Sequence, residues 1–138
     1  MLKSQRGADR SGRRRKTTTN KQAVGDFAED LAAEFLQANG LNILHRNFLC
    51  KVGEIDLIAS DHRYKEVSIV FVEVRYRRNQ SYGGGLASIT LKKQEKLRRS
   101  AQTFLLQQHS SDIPCRFDVI SVSGRPKQPD IHWIENAF

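Results

Sequence analysis

Apolar residues recur every three or four positions in two parts of the chain, and this spacing predicts two helices. The first covers residues 24–36, with Asn20 as its N-cap and Asn39–Gly40 as its end. The second carries its apolar stripe on residues 97–105 and begins after Thr90, a typical capping residue. Each helix therefore has one face to bury.

Shorter apolar runs between and after these helices predict strands. The run with the most β-branched residues has the composition of a central strand covered on both faces. The predicted strands are Leu41–Phe48, Glu54–Ser60, Val67–Tyr76, Arg116–Val122 and a short Ile131–Ile134. The resulting order, αβββαβ with an optional last strand, predicts an α/β domain in which helices flank a mixed sheet.

Charge is distributed unevenly along the 138 residues, whose formal net charge is +8. Residues 1–21 hold eight basic residues and one aspartate, a net charge of +7. Because residues 1–20 have almost nothing to bury, we expect a disordered basic tail there and a folded domain over 21–138. The tail is either a solubilising leader or an arm that contacts phosphates.

Several classes of protein do not fit this sequence. The longest apolar run is four residues, 69–72, far below the roughly 18 that span a bilayer, and no signal peptide is evident. Cys50 and Cys115 lie far apart and form no metal-binding motif. We therefore expect a cytoplasmic protein with free thiols and no membrane partner.

Acidic residues interrupt two of the predicted strands. Alternation along the first of these strands places Glu54 and Asp56 on one face and Ile55, Leu57 and Ala59 on the other. A carboxylate in such an apolar strand is costly to bury unless it is paired with a charge or bound to a cation.

The central strand repeats this arrangement. Glu73 and Arg75 are predicted on one face, with Val72, Val74 and Tyr76 on the other. If the two strands are neighbours, Asp56 and Glu73 converge, and two carboxylates with open positions suit Mg²⁺ beside a phosphate. The alternative is structural: Glu73 and Arg75 pair with surface partners across the sheet, and Asp56 caps a strand end.

Four motifs resemble the YraN family of bacterial proteins over about residues 25–133. They are Gly53–Ala59, Val70–Arg77, the Lys93-Gln94 pair and Arg116–Ile120. The resemblance implies a restriction-endonuclease-like fold related to archaeal Holliday-junction resolvases, which use a PD-(D/E)XK site.

In that site, the resemblance makes Asp56 and Glu73 the metal-binding acids and Glu29 an additional helical acid. A solvated helix face is the alternative for Glu29. Arg75 stands where these nucleases have a lysine, and a guanidinium cannot accept a proton. Either metal activation alone suffices, or Lys93 supplies the missing group, or the site is not catalytic.

Basic and amide side chains beside these acids are the predicted nucleic-acid contacts. They are Arg77, Arg78, Lys93 and Gln94, next to a loop with three glycines at 83–85 that lets backbone approach phosphates. Residues 75–99 carry a net charge of +7, whereas residues 22–74 and 100–138 together carry −6. Asp118, in contrast, is expected to be structural and to pair with Arg116 or with a helix.

Three functions remain open at this point. The first is a Mg²⁺- or Mn²⁺-dependent nuclease acting on branched or structured nucleic acid, DNA ahead of RNA. The second is a nucleic-acid-binding protein that retains the nuclease fold without activity, and the third is an adaptor for a protein partner. Because junction resolvases act as dimers on two-fold symmetric substrates, the resemblance also allows a homodimer.

Overall fold

The computed structural model describes residues 20–78 and 89–138. Within these ranges the order is αβββαββ, which confirms the predicted α/β class and the final strand. The predicted tail, apart from Asn20, and the glycines at 83–85 lie outside the described residues. The elements are α1 (Asn20–Ala38), β1 (Leu41–Cys50), β2 (Gly53–Asp61), β3 (Ser68–Arg77), α2 (Leu91–Gln107), β4 (Cys115–Arg125) and β5 (Gln128–Ile134).

The strands form one mixed sheet in the order β1-β2-β3-β4-β5. Only β3 and β4 run parallel, and α2 connects them, whereas the other neighbours are antiparallel. β3 is central, as predicted. The strands extend past their predicted ends because the backbone ladder continues through polar residues, as in the pair Arg125 and Gln128.

Alternation along β3 divides the core into two layers. Val70 and Val72 pack with α1, while Ile69 and Phe71 pack with α2. Val74 and Tyr76 continue the α1 layer, so the predicted face of β3 is confirmed. Glu73 therefore lies on the α2 side of the sheet.

The alternation predicted for β2 is wrong at one position. Leu57 and Ala59 pack in the α1 layer, but Ile55 packs with α2. The regular pairing of β2 with β3 begins only at Leu57. Because strict alternation assumes a continuous ladder, the face of Ile55 could not be inferred once that ladder stops.

The ends of both helices follow from local chemistry. Gly40 has φ +97, a left-handed conformation that ends α1 at the predicted Asn39–Gly40 pair. At the start of α2, the Thr90 hydroxyl accepts a hydrogen bond from the Lys93 backbone N–H at 3.1 Å. Thr90 is therefore the N-cap, as predicted, and it fixes the first turn that carries Lys93.

A buried ionic network joins the strands at the end of the sheet where β3 begins. The Asp118 carboxylate is fully buried and accepts hydrogen bonds from the Arg116 side chain and from Trp133 Nε1. This contact shows the expected pairing of Asp118 with Arg116. Arg116 also donates to Asp61 at 2.9 Å, so the network ties β4 to β2 across β3.

The network sets the protonation of Asp61. Hydrogen bonds from the Arg63 side chain, supported by Arg116, hold the pKa of Asp61 far below its usual range despite burial. An ionised Asp61 therefore stabilises the folded chain at neutral pH.

We predict that this stabilisation is lost in acid. Because the folded pKa of Asp61 is depressed, its contribution is fully present above the unfolded pKa of about 3.9 and declines as pH falls below it. Urea unfolding of the wild type and Asp61→Asn at pH 7 and pH 3 measures the effect. The wild type should be more stable at pH 7, with the difference smaller at pH 3. A difference that does not change with pH would contradict the assignment.

Candidate active site

The ladder between β2 and β3 ends beside Asp56. One further step of their register would place Asp56 opposite Glu73. Instead of the ladder bond, the Asp56 carboxylate accepts a hydrogen bond from the backbone N–H of Val74 at 2.9 Å. The side chain thus replaces a sheet contact, and the two acids meet where the strands separate.

Glu73 is 4% exposed and lies among the apolar residues of the α2 face. Lys93 Nζ is 2.7 Å from Glu73 Oε2, and an Arg75 guanidinium nitrogen is 3.6 Å from the same oxygen. Two cations therefore compensate a carboxylate that would otherwise be costly to bury. Sequence analysis placed Arg75 and Glu73 on one face, and these distances agree with that placement.

The surroundings of Asp56 disfavour its ionised form. Burial and the adjacent Glu73 carboxylate raise the pKa of Asp56 well above its usual range, with a smaller effect from Glu29. The Val74 backbone N–H opposes this rise without reversing it. A negative charge on Asp56 is therefore costly beside Glu73 unless a cation lies near it.

A cavity of about 430 Å³ opens on these acids from the α2 side. Its acidic part comes from β2 and β3, and its basic part comes from the first two turns of α2. The lining residues are Gly53, Glu54, Asp56, Glu73, Thr90, Lys92, Lys93, Lys96, Leu97 and Ser100. A ligand in this cavity would contact carboxylates and ammonium groups together.

Gly53, at the start of β2, lies close to α2 at the wall of this cavity. A side chain at Gly53 would place its Cβ 3.3 Å from the Ser100 hydroxyl oxygen on α2. That distance is tight, so glycine lets β2 and α2 approach closely at the cavity wall. Gly53 is therefore a packing glycine at the cavity wall.

Glu29 approaches Asp56 from α1 without joining the acid pair. It is half-buried, so the solvated helix face considered above does not describe it. Burial raises the pKa of Glu29, while a hydrogen bond from the Asn47 side chain and the charge of Arg46 lower it. Its neighbour Asp30 is the exposed residue and pairs with Arg46 at 2.6 Å.

These donors fit a divalent cation only in part. Among the residues that the structure describes, no group of three or more His, Cys, Asp or Glu side chains is arranged to hold a metal ion. Asp56 and Glu73 supply two hard oxygen donors at a cavity, which is the number Mg²⁺ commonly takes from a protein beside substrate phosphates. The pair therefore fits Mg²⁺ or Mn²⁺ completed by water and substrate.

Three other predicted contacts lie elsewhere. The Gln94 side chain donates to the Ile89 carbonyl at 3.2 Å, and Gln94 is not among the described residues lining the cavity. Arg77 is the last residue of β3, beyond Arg75. Arg78 lines a different groove, beside the connection between β4 and β5.

Asn47 belongs to this site and was not found by sequence analysis. Pairs on either side of it place Asn47 opposite Asp56 across β1 and β2. It has φ +53, which is rare for a residue with a side chain, and its amide bonds to Glu29. Asparagine is among the few residues that adopt this conformation readily, but a strand pattern gives no sign of it.

Sequence similarity identifies the family to which this chain belongs. The sequence profile described as "Uncharacterised protein family UPF0102" matches residues 28–122. The chain belongs to this family. This confirms the resemblance to YraN, and the matched stretch contains the candidate residues Glu29, Asp56, Glu73, Arg75 and Lys93.

Individual UPF0102 proteins are similar over nearly their whole length. One from Pseudomonas syringae is 44% identical over 87% of this chain and 96% of its own. One from Legionella pneumophila is 44% identical over 85% and 95%, and one from Nitrosomonas europaea is 46% identical over 83% and 92%. These UPF0102 relatives establish the family, while the chemistry has to be argued from the site.

We predict opposite effects of glycine and alanine at two asparagines of β1. At Asn47 the left-handed backbone costs a residue with a Cβ about 1–2 kcal/mol, so Asn47→Gly should be more stable than Asn47→Ala. At Asn42, an exposed position without positive φ, alanine should be the more stable by about 0.5–1 kcal/mol. Urea unfolding of the four variants measures both differences. The same sign at both positions would refute the conformational role of Asn47.

Proposed function

We propose that this protein is a metal-dependent nuclease that hydrolyses phosphodiester bonds in nucleic acid. The observation that carries the proposal is the pair of adjacent carboxyl groups, Asp56 half-buried and Glu73 buried, at a cavity lined by lysines. A phosphodiester is an anion, and it approaches two acids only if cations lie between them. The lysines and a bound divalent ion would supply those charges.

Asp56 and Glu73 would hold Mg²⁺ or Mn²⁺ through carboxylate oxygens. Such an ion, when bound, lowers the pKa of water and neutralises charge that develops on the phosphoryl group. Glu73 Oε2 already contacts Lys93, so its other oxygen would be the one available to an ion. Glu29 would bind the ion directly or through water, as the resemblance implies.

Lys93 is the best candidate for the function that Arg75 cannot perform. Its ammonium lies 2.7 Å from Glu73, so it would be close enough to contact a water bound beside the acids. An amine can exchange a proton, whereas a guanidinium stays charged. Arg75 remains suited to binding charge that develops on the phosphate.

A nucleic-acid-binding protein without catalysis is the second candidate. The contact between Lys93 and Glu73 favours it, because an ammonium already neutralises an acid that a metal would need. Such a protein would bind nucleic acid in the presence of EDTA as well as in Mg²⁺. Metal-dependent cleavage separates the two candidates.

Substrate and assembly stay predictions. A branched DNA substrate, preferred over RNA, and a homodimer both derive from the resemblance to junction resolvases. Cytoplasmic localisation likewise stays a prediction. In the parts of the chain that the structure describes, no helix is long and apolar enough to cross a membrane.

We predict that cleavage of a four-way DNA junction requires Mg²⁺ or Mn²⁺ and the acid pair. Asp56→Asn and Glu73→Gln should each reduce the rate at least about 100-fold, because each removes a metal oxygen. Lys93→Arg keeps the charge but not proton exchange, so a loss of about 100-fold or more would assign Lys93 to proton transfer. Gel assays with duplex, single-stranded and junction DNA and an RNA duplex measure the rates.

Glu66→Gln is the matched control. Glu66 is an exposed acid in the connection between β2 and β3, at the other end of the sheet, and its loss should leave the rate unchanged. No cleavage by the wild type in either metal would reject the nuclease. Equal cleavage by the wild type and Asp56→Asn would reject the proposed site.

A further inference from the structure

We propose that the connection between β4 and β5 forms a second contact surface for nucleic-acid phosphates. This hairpin surface consists of Arg125 at the end of β4, Lys127 in the connection and Arg78 directly after β3. It depends on the proposed function only in the choice of nucleic acid as the ligand. Neither a metal nor the acid pair is part of it.

The parallel pairing of β3 and β4 brings these residues together. Arg77 on β3 pairs with Ser123 on β4, so Arg78 leaves the sheet beside the hairpin that follows Gly124. Arg78 and Arg125 line the same groove of about 580 Å³, and both also line a neighbouring groove together with Lys127. Cations more than 45 positions apart in sequence therefore share one surface.

A hydrogen bond from β3, a tightly packed glycine and a short connection hold the hairpin in place. The Tyr76 hydroxyl donates a hydrogen bond to the Gly124 carbonyl at 3.1 Å, which attaches the start of the hairpin to β3. Gly124 has φ +84, and a Cβ there would lie 2.9 Å from the Gln128 carbonyl oxygen. The pair Arg125 and Gln128 then closes a connection of only two residues. The cations are thus presented on a fixed support, which reduces the entropy lost on binding.

The charges of this surface are available to a ligand. Arg78, Arg125 and Lys127 are exposed, and none forms a salt bridge with another residue in the described ranges. The nearest acid along the hairpin, Asp130, contacts His132 at 3.3 Å. Three unpaired cations on a fixed support match the repeated charges of a phosphate backbone.

Distance along β3 indicates the size of the ligand. Arg78 lies five positions after Glu73, and at about 3.3 Å per strand residue this is at most about 17 Å. A duplex rises about 3.4 Å per base pair, so this distance corresponds to roughly five base pairs. Because Val24 and Tyr76 line the hairpin groove from the α1 side while the acid cavity opens on the α2 side, only a ligand longer than a dinucleotide reaches both.

The test measures binding of a 30-base-pair duplex in EDTA at several KCl concentrations, by fluorescence anisotropy with the full chain. Removing one phosphate contact lowers the slope of log K against log[KCl] by about 0.9. Arg125→Gln and Lys127→Gln should each lower the slope by about 0.9, and the double variant by about 1.8. Lys65→Gln, in the connection at the opposite end of the sheet, is the matched control and should leave the slope unchanged.

The outcomes distinguish failure of the hairpin surface from failure of the proposed nuclease activity. A wild-type slope in the double variant, with an unchanged melting temperature, overturns the hairpin surface and leaves the acid pair untouched. An equal change of the slope in the Lys65→Gln control also overturns the hairpin surface, because it would show a general effect of charge. No binding of the wild type to the duplex also overturns it. A reduced slope in a chain that binds DNA but does not cleave it supports the hairpin surface and rejects the nuclease.

Discussion

Two acidic side chains, Asp56 and Glu73, are forced into one poorly hydrated place, and the rest of the site depends on how that charge is compensated. Apolar residues at these two positions would avoid the cost of burying charge, as they do elsewhere on β2 and β3. Instead the strands separate, Asp56 bonds to the Val74 backbone and Lys93 reaches Glu73. Buried charges that are retained in this way are typical of sites that perform chemistry.

Both helices contribute side chains to the site, with opposite effects on its charge. α2 supplies the compensating Lys93 from a first turn fixed by the Thr90 cap, whereas α1 adds a further acid, Glu29, which raises the pKa of Asp56. The opposite end of the sheet is closed by the buried network around Asp118. One end of the sheet thus provides stability, while the other holds an opening with incompletely balanced charge.

Sequence patterns predicted most of the fold because apolar spacing determines which face of each element is buried. They also indicated that Asp56 and Glu73 would meet, since both acids interrupt apolar strands. They failed where a local break overrides the pattern: Ile55 changes face where the ladder ends, and Asn47 takes a left-handed backbone within a strand. Arg125 was not recognised beside Arg78, because their proximity requires the parallel pairing of β3 with β4.

Binding of Mn²⁺, measured by isothermal titration calorimetry without nucleic acid, tests most directly whether the acid pair is a cation site. The wild type should bind one ion with a saturable isotherm, and Asp56→Asn and Glu73→Gln should abolish that binding while remaining folded. Glu54→Gln, which changes an exposed acid at the rim of the same cavity, should retain it. A wild type that binds no Mn²⁺ at millimolar concentration, or an Asp56→Asn variant that binds as the wild type does, would contradict the assignment.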